Sequence, residues 1–204
     1  MTQVKTPTFR GSYMNKLIEG EEKQNNEGKP YMAYSLRADF EPEDCPGFDA
    51  GDPRTYPNWA KEAIEEAIET GKTKFWKGKR PNNLSMPFMD GDDADKPELE
   101  GKVYCNMKAF GRRCPVLGMD NKAISPDGGG LNEQVIYSGA YYKAVITFAP
   151  YDAQGNRGVS ARLVAVRKVD DGERMAGGIS ESQAEDMFGD EDGTQAAVED
   201  DFLS

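Results

Sequence analysis

Two long runs in the second half of the chain, "SGAYYKAVITFA" and "GVSARLVAVRKV", alternate apolar and polar residues with a period of two, and only "PYDAQGNRG" separates them. Alternation sustained over that length marks half-buried strands, and the separator reads as a tight turn. "PYMAYSLRADF" alternates too, with Met32, Tyr34, Leu36, Ala38 and Phe40 set against Tyr31, Ala33, Ser35, Arg37 and Asp39. So does "GKVYCNMKAF". The one stretch with helical spacing is "NWAKEAIEEAIETG", where Ala60, Ala63, Ile64, Ala67 and Ile68 form the stripe; Asn58 is placed to cap its start and Gly71 its end. The connections are long and rich in Gly, Pro and acids, among them "EPEDCPGFDAGDPRTYP" and "SPDGGGLNEQ". Several strands, one helix and long loops predict a mainly β fold, an OB-fold-like Greek-key barrel rather than a two-layer α/β domain.

At 204 residues and 37% hydrophobic content the chain fits one domain with a modest core and an appendage. No apolar stretch approaches the roughly 20 residues of a membrane span, and the N-terminus lacks the apolar block of a signal peptide. The expectation is a soluble cytoplasmic protein with no membrane contact. Cys45, Cys105 and Cys114 stand at unrelated spacings and there is no histidine. Zinc sites and Ser-His-Asp or Cys-His machinery are thereby disfavoured. We expect no catalytic residues, no metal and no cofactor.

The net charge of −11 looks hostile to nucleic acid, but it is unevenly spread. Residues 175–204 hold nine of the 36 acids and none of the 25 bases, so residues 1–174 carry 27 acids against 25 bases. The division predicted is a folded domain over 1–174 and a flexible acidic tail over 175–204.

Within the folded part, "GKTKFWKGKRP" gathers Lys72, Lys74, Lys77, Lys79 and Arg80 around Phe75 and Trp76, with no acid from Thr70 to Met89. Cations neutralise phosphates while flat rings stack on bases of any sequence, which is the chemistry a single nucleic-acid strand asks for. A second such segment is "VYCNMKAFGRRCP", acid-free from Gly101 to Met119. There Val103, Cys105, Met107 and Ala109 suit a barrel interior, while Tyr104, Lys108 and Phe110, with Arg112 and Arg113 beyond, suit an outer binding face. On the closing strands Arg162 and Lys168 fall on one face with Ser160, Val164 and Val166, and Lys143 sits beside Tyr141. The candidate DNA-binding set is therefore Lys72, Lys74, Phe75, Trp76, Lys77, Lys79, Arg80, Tyr104, Lys108, Phe110, Arg112, Arg113, Lys143 and Arg162. Three other motifs carry nothing. "GKT" at Gly71–Thr73 follows a helix and has Glu66 where a phosphate-binding loop needs glycine. "DGDDAD" lacks calcium-loop spacing, and "GGG" at Gly128–Gly130 opens no helix.

"PFMDGD" at Pro87–Asp92, the strand leading to "RRCP", and above all "YSGAYYKAVITFAPYDAQGNRGVSARLVAVRKVDDGE" resemble the phage single-stranded-DNA-binding proteins long catalogued as a domain of unknown function. The resemblance runs from about Phe75 to Phe202, with Gly139, Tyr151, Gly158, Leu163, Val166 and Gly172 in the expected places. It implies an OB-fold, sequence-tolerant binding of single-stranded DNA, and a part in phage replication, recombination or repair. It also implies that an acidic tail with a near-terminal aromatic recruits replication or recombination proteins. "EDDFLS" fits that pattern through Asp200, Asp201, Phe202 and Leu203, although Leu203 and Ser204 follow the aromatic where bacterial functional relatives end on it. Tails of this kind can pair subunits, which leaves a homodimer open. The competing reading, carried by total charge alone, is an acidic phage interaction protein that mimics DNA or blocks a host factor without binding DNA.

Overall fold

The alternating runs become a barrel because five of the strands each find hydrogen-bonding partners on both edges. The computed structural model describes residues 1–175, apart from 26, 95, 127, 128 and 154. In chain order its elements are β1 (Val4–Lys5), β2 (Phe9–Ser12), α1 (Met14–Ile18), β3 (Glu21–Gln24), β4 (Pro30–Phe40), α2 (Lys61–Lys74), β5 (Phe88–Asp90), β6 (Val103–Phe110), β7 (Val116–Leu117), β8 (Tyr141–Ala153) and β9 (Asn156–Asp170). β2 pairs with β4, β4 with β6, β6 with β9, β9 with β8, and β8 returns to β2. That circuit closes five strands on themselves, with β6–β9 its one parallel contact. It is the Greek-key barrel the sequence predicts. β1, β3, β5 and β7 are short and pair with β8, β4, β6 and β9 respectively.

Side chains alternate across this wall. Leu36, Ala38 and Phe40 of β4 and Val103, Cys105, Met107 and Ala109 of β6 are buried, as are Tyr142, Ala144, Ile146 and Phe148 of β8. Phe88 packs against Phe40 and Phe148 with centroids 6.3 and 6.1 Å apart, and meets Trp59 edge-on at 5.3 Å. Such geometries favour the ring quadrupoles as well as burial. Gly11 of β2 is needed for its lack of a side chain, since a Cβ there would come within 2.6 Å of the Tyr142 ring.

Three elements depart from their expected form. α2 continues past Gly71 to Lys74, and no side-chain cap comes from Asn58, which instead opens a single 3-10 turn, Asn58–Ala60. Gly71 does not end the helix; its bare Cα lets the indole of Trp76 lie against it, and a Cβ would stand 2.5 Å from that ring. The turn expected over residues 150–158 is also smaller. Pro150, Tyr151, Asp152 and Ala153 pair with Val159, Gly158, Arg157 and Asn156, leaving the reversal to 154–155 with Gly155 at φ 85°. α1, a five-residue helix, carries too few residues to show a period.

No helix among the described residues is long and apolar enough to cross a membrane. The predicted tail beyond Met175, with Asp200, Asp201, Phe202 and Leu203, lies outside the described residues. For Gly71→Ala two effects compete. Alanine favours a helix over glycine by roughly 1 kcal/mol, while overpacking a filled core costs about 1–3 kcal/mol. Because the Trp76 ring is buried and hemmed in, the collision should win, and denaturant unfolding should show the variant less stable than wild type by up to about 2 kcal/mol.

Candidate nucleic-acid interface

The outward residues of β4, β6, β9 and β8 line up in a row fixed by register. Ser35 stands opposite Lys108, Lys108 opposite Arg162, and Arg162 opposite Thr147. Lys108 is exposed and Arg162 half-buried. One step along β6, Phe110 is 41% exposed. The Arg162 guanidinium carbon lies 4.3 Å from the centre of the Phe110 ring, and the Tyr31 ring lies 5.8 Å from it on the other strand. Arg162 Nε donates to Ser160 Oγ at 3.2 Å. Burial lowers the Arg162 pKa from its ordinary value; an arginine nevertheless stays charged. The result is a partly desolvated cation, held in place beside an open aromatic face, so little side-chain freedom remains to be lost on binding.

Asn106 and Tyr104 continue the row along β6, opposite Arg37 and Asp39. Tyr104 is half-buried and lines a groove of about 620 Å³ with Met89, Asn82, Asn83 and Arg54. The end of α2 and the basic loop after it present Lys74, Phe75, Lys77, Lys79 and Arg80 to solvent, Phe75 at 46% exposure. Lys72 is half-buried and paired with Glu69. The chain following this loop joins the barrel at Ser85, which bridges Gly158 of β9, so the loop opens at the tip end of the β8–β9 ribbon.

Several expected site residues do not join this face. Trp76 is 4% exposed, seated on Gly71 with its Nε1 donating to the Tyr151 carbonyl at 3.4 Å, so it has no face to offer a base. The run of basic and aromatic residues divides, with Phe75 outside and Trp76 in the core. Arg113 packs its guanidinium 5.4 Å from the Tyr34 ring. Arg112 is exposed in the turn beyond β6. Lys143 is exposed but stands opposite Arg167, beyond a bulge at Val145/Ile146 and away from the Lys108–Arg162 row. That bulge also reverses β9. Ile146 pairs with Leu163 and Val145 with Ala165, so Val164 is skipped and the faces exchange. Lys168 consequently turns inward, 6% exposed, pairs with Asp171 at 2.6 Å and donates to the Val135 carbonyl at 2.9 Å.

Other residues gather here that the pattern alone does not single out. Tyr31 is brought to Phe110 only by the β4–β6 register. Arg37, on the outer side of β4, is buried in a network. Its Nε donates to Asp39 Oδ1 at 2.7 Å and its Nη2 to Oδ2 at 3.1 Å, while Ser12 Oγ donates to Asp39 Oδ2 at 2.6 Å. Burial opposes the Arg37 charge, but Asp39 outweighs it and the pKa rises.

The thiols offer no chemistry. Burial pushes Cys45 up to about 12 and Cys114 up to about 11, and raises Cys105 as well. Among the described residues no three His, Cys, Asp or Glu side chains cluster as metal ligands. At pH 8 Ellman's reagent should find no fast-reacting thiol in the folded protein and three after denaturation.

A family model described as "Enterobacter phage Enc34, ssDNA-binding protein" matches residues 52–203. Among solved structures, the single-stranded DNA-binding protein from bacteriophage Enc34 in complex with ssDNA is 23% identical with a TM-score of 0.61, over 85% of this chain and 89% of that one. A second structure of the single-stranded DNA-binding protein from bacteriophage Enc34 gives 24% and 0.60, over 89% of each chain. The single-stranded DNA binding protein gp2.5 of bacteriophage T7 gives 14% and 0.53, over 100% of this chain and 98% of that one. No curated protein matches in sequence. The structural likeness establishes the fold, a mainly β OB barrel.

Proposed function

The chain belongs to the family of the Enterobacter phage Enc34 ssDNA-binding protein, and from that premise we propose that it binds single-stranded DNA of any sequence across the outer face of β4, β6 and β9. The observation that carries the reading is the Phe110–Arg162–Lys108 group. It sets an exposed ring, a stacked guanidinium and a free ammonium side by side on β6, the third barrel strand, and its parallel neighbour β9. OB-folds use that face for oligonucleotides. Phe110 stacks on a base; Arg162 and Lys108 neutralise phosphates. Tyr104 and Phe75, with Lys74, Lys77, Lys79 and Arg80, extend the contact towards the ribbon tip. No step in this scheme reads base edges, so tolerance of sequence follows.

The division of labour along the chain is also a proposal. Residues 1–174 form the binding domain, and residues 175–204 act as an acidic arm. A coil of that length spans about 30 Å, far enough for its nine acids to compete for the basic face when DNA is absent. Asp200, Asp201, Phe202 and Leu203 then supply a charged and apolar anchor for replication, recombination or repair proteins. Deleting residues 199–204 should leave or raise DNA affinity while abolishing capture of such a partner; weaker DNA binding by the truncated protein would contradict the competition.

Trp76 is buried, so intrinsic fluorescence is a poor reporter, and anisotropy of a labelled oligo-dT is the better measurement. Binding should weaken as salt rises, with Lys108→Ala lowering the log–log slope by about 0.7. Phe110→Ala should cost about 1–3 kcal/mol at every salt concentration, whereas Lys143→Ala, off the row, should change little. Absence of binding at low salt would defeat the proposal and favour the acidic interaction protein.

A further inference from the structure

Between β2 and α1 the backbone does something unusual. Tyr13 adopts a left-handed conformation, φ 58° and ψ 38°, which is rare for a bulky non-glycine residue. That turn throws its ring out of the barrel wall, where it is 41% exposed. Three cations surround it. Arg37 Cζ lies 5.1 Å from the ring centre, Lys96 Nζ 5.2 Å and Lys16 Nζ 5.7 Å. Lys96 Nζ also donates to the Tyr13 hydroxyl at 2.7 Å.

The three differ in what they can offer a ligand. Arg37 is buried and committed to Asp39 and, through Nη2 at 3.4 Å, to Glu98. Its part is to support the ring from the protein side. Lys16 is paired with Glu21 at 2.7 Å. Lys96 is exposed and bound to the ring hydroxyl, so it is the cation free to meet an anion next to an open aromatic face. Strained backbone persists where surrounding structure holds it, and such sites cluster at ligand-binding positions.

We propose that Tyr13 and Lys96 form a second nucleotide subsite, in which the ring stacks on a base and the ammonium meets its phosphate, extending the path of the strand beyond the Phe110 platform. The inference rests on the single-strand-binding reading and adds to it Tyr13, which precedes the matched family region that begins at residue 52, together with Lys96 inside that region. The placement supports continuity. Arg37, beneath Tyr13, stands opposite Asn106, and Phe110 lies four residues further along β6. At about 3.3 Å per residue and 4.8 Å between strands, the two platforms are roughly 14 Å apart, a span of a few nucleotides.

The test compares a short oligo-dT of about 4 nucleotides with one of about 16, the range of OB-fold site sizes, on the full chain by anisotropy. Tyr13→Asn keeps a residue that tolerates the left-handed turn and removes the ring. It should weaken the long oligonucleotide by about 5- to 100-fold and leave the short one within about twofold. Tyr13→Phe should bind like wild type, since stacking needs the ring and not the hydroxyl. Lys96→Ala, an exposed change that should not disturb folding, should lower the salt slope for the long strand alone by about 0.7. Unchanged long-strand binding in both Tyr13→Asn and Lys96→Ala overturns the subsite, as does equal weakening for both lengths. Failure of wild type to bind either oligonucleotide would instead overturn the single-strand-binding reading itself, so the two failures are distinguishable.

Discussion

The parallel contact between β6 and β9 is the constraint on which the exposed face depends. It is a short one, Met107 beside Ala161 and Lys108 beside Arg162. It closes the barrel, and it sets which side chains meet outside. Parallel neighbours need a long crossover, and the segment from Gly111 to Ala140 with β8 supplies it. Once Met107 and Ala161 are turned into the core, Lys108 and Arg162 have no choice but to share the opposite surface, and Phe110 follows two residues on. A slip of one residue would send the cations indoors and the apolar set into solvent. Burial of the inner face therefore does more than stabilise the fold; it enforces the order of groups outside.

Electrostatics act on two scales in this molecule. Over the whole chain the negative charge is large, yet the segments that build the outer face contain no carboxylate from Gly101 to Met119 and none from Thr70 to Met89. At contact range, two cations of the proposed path are paired with rings: Arg162 with Phe110 and Lys96 with Tyr13. A ring holds a guanidinium or ammonium in place without cancelling its charge, so the cation remains available to an incoming anion. The pair of Arg37 and Asp39, by contrast, is buried and its role is internal.

The strands were legible in the sequence because an alternating run has one solution when one side must be buried. The in-and-out order of β6, from Val103 to Phe110, is read directly from residue size and polarity, and the structure repeats it. Local pattern misleads where a residue's partner lies elsewhere in the chain. Gly71 looks like a helix terminator by local rules, but its missing side chain serves Trp76 five positions later. Trp76 and Phe75 both sit among lysines, and only the packing separates them. Unbroken alternation puts Lys168 outside, but the bulge at Val145/Ile146 breaks the ladder which that requires. Tyr13 carries no periodic signal, being set by a left-handed turn, and the alternation that includes Tyr31 does not show its meeting with Phe110, which register across a strand pair sets.

The extended β8–β9 ribbon has a further consequence. Its last rungs, Asp152 with Arg157 and Ala153 with Asn156, are exposed at every position, and Asp152 and Arg157 are joined at 2.9 Å. Everything that sets the barrel's register lies on the near side of them. The reversal around Gly155 is thus a point where chain length can change without disturbing the wall, as exposed loop tips allow. A fluorophore-bearing peptide spliced there would report on whatever approaches that end of the barrel while leaving its interior as it is.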